Sequence, residues 1–192
     1  MVECCAAKGY EATTNADVCA AAGVSPEAFE GAFADKAECL GAAMETVVEE
    51  GWRALDEVRA QDMSWAAELR DGVAVLLRLM AERPAFAHVA LVEAPTAGGR
   101  AGALHGSARA SLLEFLEQGR EQAELGIPES AARGALAGAE ALAVSQVVAG
   151  KAGQLRALAP EVLYMLAVPF LGVGEARRLA TEGARRHLRA VA

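Results

Sequence analysis

The chain has 192 residues, 54% of them hydrophobic but only 5% aromatic, and a formal net charge of −8. That composition can fill a sizeable core, while β-branched and aromatic residues are too sparse for an all-β protein and the surplus of carboxylates argues against a generally polyanion-binding surface. Alanine favours helix and is abundant, and 19 glycines and 6 prolines supply helix stops, so an all-α protein is expected.

Gly9-Tyr10 ends a short first helix, and Thr13 or Thr14 can cap the next. Asn15–Ala22 reads as a short helix with Val18, Cys19 and Ala22 on one face, broken at Gly23. Ser25-Pro26-Glu27 opens another, with Ser at the N-cap, Pro at the first helical position and an acid in the first turn. Two short helices joined through Gly23-Val24 have the spacing of a helix-turn-helix. Asp35 then caps a longer helix that begins at Lys36 and runs towards Val58.

Further helices follow by periodicity. Met63–Ala81 carries an apolar stripe of Trp65, Leu69, Val73, Leu76, Leu77 and Met80. Pro84 opens the next, which ends at Pro95 and the Gly98-Gly99 loop. Ala101–Leu125 follows, stopped by Gly126-Ile127-Pro128. Glu129–Ala149 is rich in small residues, Glu161–Leu171 is almost wholly apolar, and Val173–Ala192 is arginine-rich through Arg177, Arg178, Arg185, Arg186 and Arg189. The most apolar stretch, Leu163–Val173, is too short for a membrane span and is broken by Pro169 and Gly172. With no basic region ahead of an apolar segment at the N-terminus, a cytoplasmic protein with no membrane partner is expected.

Cys4, Cys5, Cys19 and Cys39 all fall in the first forty residues without a C-x-x-C pair, and His88, His105 and His187 lie far downstream. The cysteines read as small buried hydrophobes, with neither metal nor cofactor expected.

Lys8-Gly9-Tyr10-Glu11-Ala12-Thr13-Thr14, then Ala22-Gly23-Val24-Ser25, then Phe29, Phe33, Asp35-Lys36 and Leu40 together resemble the DNA-binding signature of the TetR family of transcriptional regulators, over residues 2–43. Leu91-Val92-Glu93-Ala94-Pro95, and the run from Ala159-Pro160-Glu161 to Glu175-Ala176, resemble C-terminal domains of such regulators. The resemblance implies a three-helix DNA-binding domain over 1–44 and a helical ligand-binding and dimerisation domain over 45–192. The helix from Ser25 to Phe33 would lie in the major groove, so Ser25, Pro26, Glu27 and Phe29 belong to the DNA-binding set. Thr14 would sit at a helix N-terminus facing a phosphate, and Lys36 would give one charged phosphate contact. Val24, Phe29, Phe33 and Leu40 would be core.

The sequence departs from the family pattern. The family has an aromatic residue where Glu30 stands, His or Tyr where Ala32 stands, and often a basic residue near Pro26 or Gly31. Across residues 1–45, two lysines face eight carboxylates, whereas DNA affinity comes from several cations displacing counterions. The family's first helix is also longer, with a basic arm before it. The sequence as written is therefore expected to bind operator-length DNA weakly or not at all, through either an N-terminal truncation or a degenerate head.

By fold analogy, an effector pocket is expected among Trp52, Trp65, Met80, Phe86, Val89, Leu112 and Phe115, with His88, Glu93, His105 and Gln118 as polar anchors. For the dimer, small residues from Ala131 to Ala143 allow close helix approach. Ala135, Ala139, Leu142 and Gln146 with Val162, Met165, Leu166 and Pro169 are expected to form a four-helix interface with a two-fold mate. Two functions remain open: a ligand-responsive regulator that binds operator DNA as a dimer, or a sensor of the same fold that no longer engages DNA. An enzyme is not expected, since no phosphate loop, G-x-S-x-G or H-E-x-x-H occurs.

Overall fold

The computed structural model describes residues 1–123 and 126–191, and their side chains as far as Gly183. Among the described residues all regular structure is helical. The head comprises α1 (Val2–Lys8), α2 (Asn15–Ala22) and α3 (Pro26–Ala32), and α4 (Lys36–Arg59) carries the chain from it into the body. The body continues with α5 (Trp65–Glu82), α6 (Pro84–His88), a π-helical turn (Val89–Glu93), α7 (Ala94–Ala97), α8 (Gly99–Gln122), α9 (Ser130–Val148), a 3₁₀ segment (Ala152–Leu158) and α10 (Ala159–Val191).

Local chemistry sets most boundaries. The side chains of Thr14, Ser25, Asp35 and Ser64 each accept a backbone N–H at the start of α2, α3, α4 and α5, satisfying donors that a helix leaves orphaned. Gly23 ends α2 in the left-handed region, at φ 67° and ψ 31°, where a side chain would be strained. Gly172, at φ 73°, breaks α10 into an apolar first half and a charged second half. Of the arginine-rich tail, Arg185, Arg186 and Arg189 lie outside the residues whose side chains are described.

The π turn has a traceable cause. Pro95 has no N–H and its ring would clash with the Leu91 carbonyl in a regular α-helix. The helix widens instead, and the Ala94 N–H reaches the carbonyl of Val89. In that register the residue at 95 would donate to Ala90, so proline leaves the Ala90 carbonyl without its backbone partner. His105 Nδ1, on α8, lies 3.2 Å from that oxygen and fills the gap. Because a carbonyl only accepts, the proton sits on Nδ1. The expected helix end at Pro95 is thus a widened turn that the helix passes through.

The main core joins α5, α8, α9 and the apolar half of α10 around Trp65, Leu69, Val73, Leu116, Leu163 and Phe170. Trp65 donates its indole N–H to the Phe115 carbonyl at 3.0 Å and meets the Phe170 ring edge-on at 5.5 Å. A second cluster is the seam between head and body, where Cys5 and Tyr10 pack with Leu40, Met44, Phe86, Val89, Ala94 and Ala101. The third lies inside the head and holds Val18, Cys19, Phe29 and Cys39, with Phe33 against it. Val24, expected in that core, is 43% exposed, because the left-handed turn at Gly23 points it outward. The stretch Ala152–Gly183 is long and apolar enough to cross a membrane by length and composition alone. Its Val162, Leu163, Leu166, Ala167 and Phe170 are buried in the core, and the helix breaks at Gly172.

Candidate functional site

Two regions carry functional geometry: the helix-turn-helix surface and a cavity in the body. In the head, Thr14 and Asp17 form a reciprocal capping box at the start of α2. Lys8 forms an ion pair with the same Asp17 carboxylate. The Lys8 ammonium, with the Thr14 hydroxyl and N–H, holds that carboxyl well below the usual carboxylate range. Ser25 caps α3, and its hydroxyl lowers the pKa of Glu27. On α3 Pro26, Glu27, Ala28, Glu30, Gly31 and Ala32 face solvent, while Phe29 is buried against Phe33 with ring centroids 5.6 Å apart. The surface that would enter a DNA groove is therefore small and acidic, and Phe29 belongs to the core instead of to that surface.

Lys36 corrects the sequence reading. Its ammonium donates to the carbonyls of Tyr10, Glu11 and Thr13 at 3.0, 3.1 and 3.0 Å and lies 4.5 Å from the centre of the Tyr10 ring. All three of its N–H bonds are taken, so it ties the loop before α2 to α4 and offers no free proton to a phosphate. Of the two head lysines, one is paired with Asp17 and the other is spent on backbone. The four cysteines are free thiols, and burial pushes those of Cys5 and Cys39 up, away from reactivity.

The body holds a cavity of about 260 Å³ between α4, α5, α8 and α9, with the π turn and the start of α10 contributing. Its walls are mostly apolar. Met44, Val47, Val48, Trp52 and Leu55 come from α4, and Leu69, Val73, Leu76, Leu77 and Met80 from α5. Gly51 and Gly72 also line it, and a methyl group at Gly51 would meet no atom within 4 Å, so the space there comes from a missing side chain. The polar groups are few: His105, the pair Arg59–Glu68 (3.0 Å) and the pair Arg109–Glu140 (2.9 Å). Apolar walls with a few placed polar groups are the usual form of a small-molecule site.

Six of the eleven expected pocket residues line this cavity: Trp52, Met80, Phe86, His105, Leu112 and Phe115. The other five do not. Trp65 is buried in the main core, filling the space beside Gly119, where a Cβ would come within 2.2 Å of its ring. Val89 is fully buried in the seam. Glu93 accepts the Tyr10 N–H at 2.9 Å and lies 3.3 Å from His88 Nε2, clasping the head to the body. Gln118 is likewise absent from the wall. The sequence reading missed Ala90 and Leu91 of the π turn, the α4 stripe, Arg109 and Glu140. A signal existed for Arg109: it stands four residues after His105, on the same face of one helix.

Among the expected dimer residues, Ala135, Ala139, Val162 and Leu166 are already buried within the single chain, and three of them line the cavity. Small residues allow close approach equally well inside a chain, as where Gly138 packs against Met165. Leu142, Gln146, Met165 and Pro169 are half-buried.

A capped helix-turn-helix head, a long connecting helix and a cavity whose wall includes that helix define a two-part, all-α architecture. Residues 2–43 match the family of bacterial regulatory proteins, tetR family. Three solved structures are similar over nearly the whole chain. The fatty acid degradation regulator FadR from Bacillus halodurans is 18% identical, with 90% of this chain and 92% of that chain covered and a TM-score of 0.69. The transcriptional regulator FadR from Bacillus subtilis, solved in complex with stearoyl-CoA, is 18% identical over 89% of this chain and 94% of that one, with a TM-score of 0.71. A bacterial regulatory protein in the tetR family from Rhodococcus RHA1 is 20% identical over 90% and 92%, with a TM-score of 0.61. No curated protein matches by sequence. The head is thus similar to the tetR family's regulatory proteins in sequence, and the whole chain shares the fold of these three solved regulators.

Proposed function

We propose that the protein is a ligand-responsive transcriptional regulator of the cytoplasm, acting on operator DNA as a homodimer, with a small, largely apolar effector in the body cavity. The observation that carries this reading is the composition of the cavity wall. Met44, Val48 and Trp52 belong to the helix that starts in the head at Lys36, and Ala90 and Leu91 belong to the turn that ends at Glu93. An effector touching both would press on the two elements that hold the head: α4 directly, and the Glu93 clasp on Tyr10 through the π turn. Differential contact with two head positions is what a ligand needs to shift a conformational equilibrium. The stearoyl-CoA bound by the Bacillus subtilis neighbour supports a chain-like effector. For the dimer, the outward face of α9 and the apolar half of α10 presents Leu142, Gln146, Met165 and Pro169 to a two-fold mate.

Selection from a random DNA library at low salt tests the regulator. Enrichment of a two-fold symmetric sequence is expected, with weak affinity and a shallow salt dependence, because neither head lysine is free. Gly51→Leu, which fills the cavity, should leave that DNA binding intact and abolish its response to effector. Failure to enrich any sequence would sink the operator-binding reading. It would favour the second one, a sensor of this fold without DNA binding, which rests on the acidic exposed face of α3.

A further inference from the structure

His105 and Arg109 stand one turn apart on α8 and both line the cavity. His105 uses Nδ1 on the Ala90 carbonyl, and its Nε2 has no partner among the described residues. Arg109 bonds Glu140 through Nε alone, at 2.9 and 3.1 Å to the two carboxylate oxygens. The pair is thus unequal: both oxygens of Glu140 are engaged, while the four N–H bonds on the terminal nitrogens of Arg109 have no partner among the described residues. Arg109 is 38% exposed and Glu140 29%, which places them at the rim of an otherwise apolar space. The second pair, Arg59–Glu68, is supplemented by Asp56 at 3.5 Å from Arg59 Nη1, so its guanidinium is better satisfied.

From this surplus of donors we infer that the effector is an anionic amphiphile, a flexible apolar chain ending in a carboxylate, and that Arg109 is the residue that selects it. The chain lies along the wall made by α4 and α5, and the carboxylate meets the free edge of Arg109, with Glu140 as its internal competitor. A planar guanidinium binds carboxylates two bonds at a time, which an alcohol cannot match and an ammonium group opposes. This inference rests on the cavity being the effector site.

The test is a fluorescence titration of the full-length protein at pH 7.5 with decanoate, 1-decanol and decylamine. The chain has two tryptophans, and only Trp52 lines the cavity, so Trp52→Phe assigns the signal. Decanoate should bind roughly tenfold more tightly than decanol, as expected for charge-assisted hydrogen bonds. Arg109→Gln should erase that preference while leaving decanol affinity within about twofold, since only the charged contact is lost. Glu140→Gln should tighten decanoate binding by removing the competitor. Equal binding of acid and alcohol, or the amine binding best, overturns the anionic class and leaves the effector site standing. An Arg109→Gln loss that is equal for acid and alcohol, or a Glu140→Gln variant that does not gain affinity, overturns the selecting role of Arg109. If none of the three ligands binds, the inference and the effector-site reading fall together.

Discussion

The two lysines of the head and Arg109 of the body are used in opposite ways. In the head, both lysines are consumed by the fold: Lys8 on the capping carboxylate of Asp17, and Lys36 on three carbonyls of the loop that leads into α2. In the body, Arg109 lies at the edge of an apolar cavity with most of its donors unspent. A cation with all its protons bonded internally contributes architecture, whereas one held through a single nitrogen can also recognise something. Counting charges along a sequence does not separate these two uses, but the hydrogen-bond geometry does.

Removing the main anchor of the body should have the largest effect. Trp65→Ala loses a buried ring, its ring contacts and its N–H bond, and should cost about 3–5 kcal/mol in chemical denaturation. The head, which shares no core cluster with Trp65, should keep its local structure longer. Lys36→Met should come next, at about 1.5–3 kcal/mol for bonds to a charged donor, read as faster amide exchange in residues 10–14. An unchanged exchange pattern would show that the lysine is free after all and return it to the phosphate-binding set. Thr14→Ala should cost about 1 kcal/mol through loss of the α2 cap. The smallest effect is expected for Val24→Ser, within about 0.5 kcal/mol in thermal unfolding, since the side chain is exposed. A larger loss there would restore Val24 to the core.

Features set by neighbouring residues were legible in the sequence. Thr14, Ser25 and Asp35 act as caps within three residues of themselves, and Gly23 needs only its own backbone angle to turn the chain. Features set across the fold were not. The partners of Lys36 lie more than twenty residues away in sequence, and Glu93 finds Tyr10 across eighty-three. A carboxylate and an ammonium suit ligand or phosphate contact by type, and the sequence carries no sign of the distant backbone groups that engage them instead. The pocket was half legible, because its large apolar residues announce themselves, but Gly51 contributes by having no side chain and cannot be told from any other helical glycine. The misplaced dimer residues Ala135, Ala139, Val162 and Leu166 share one cause: apolar small-residue stripes mark close helix contacts without saying whether the second helix belongs to the same chain.

Pro95 has a consequence beyond the local shape of the helix. Each residue advances an α-helix by about 100°, so the extra residue held in the wide turn fixes the direction in which Glu93 points. Because the imino acid denies the narrower winding, that direction is written into the covalent chain. An alanine at 95 would let the turn relax and swing the carboxylate off the Tyr10 amide, leaving the apolar seam and α4 to hold the head on the body alone.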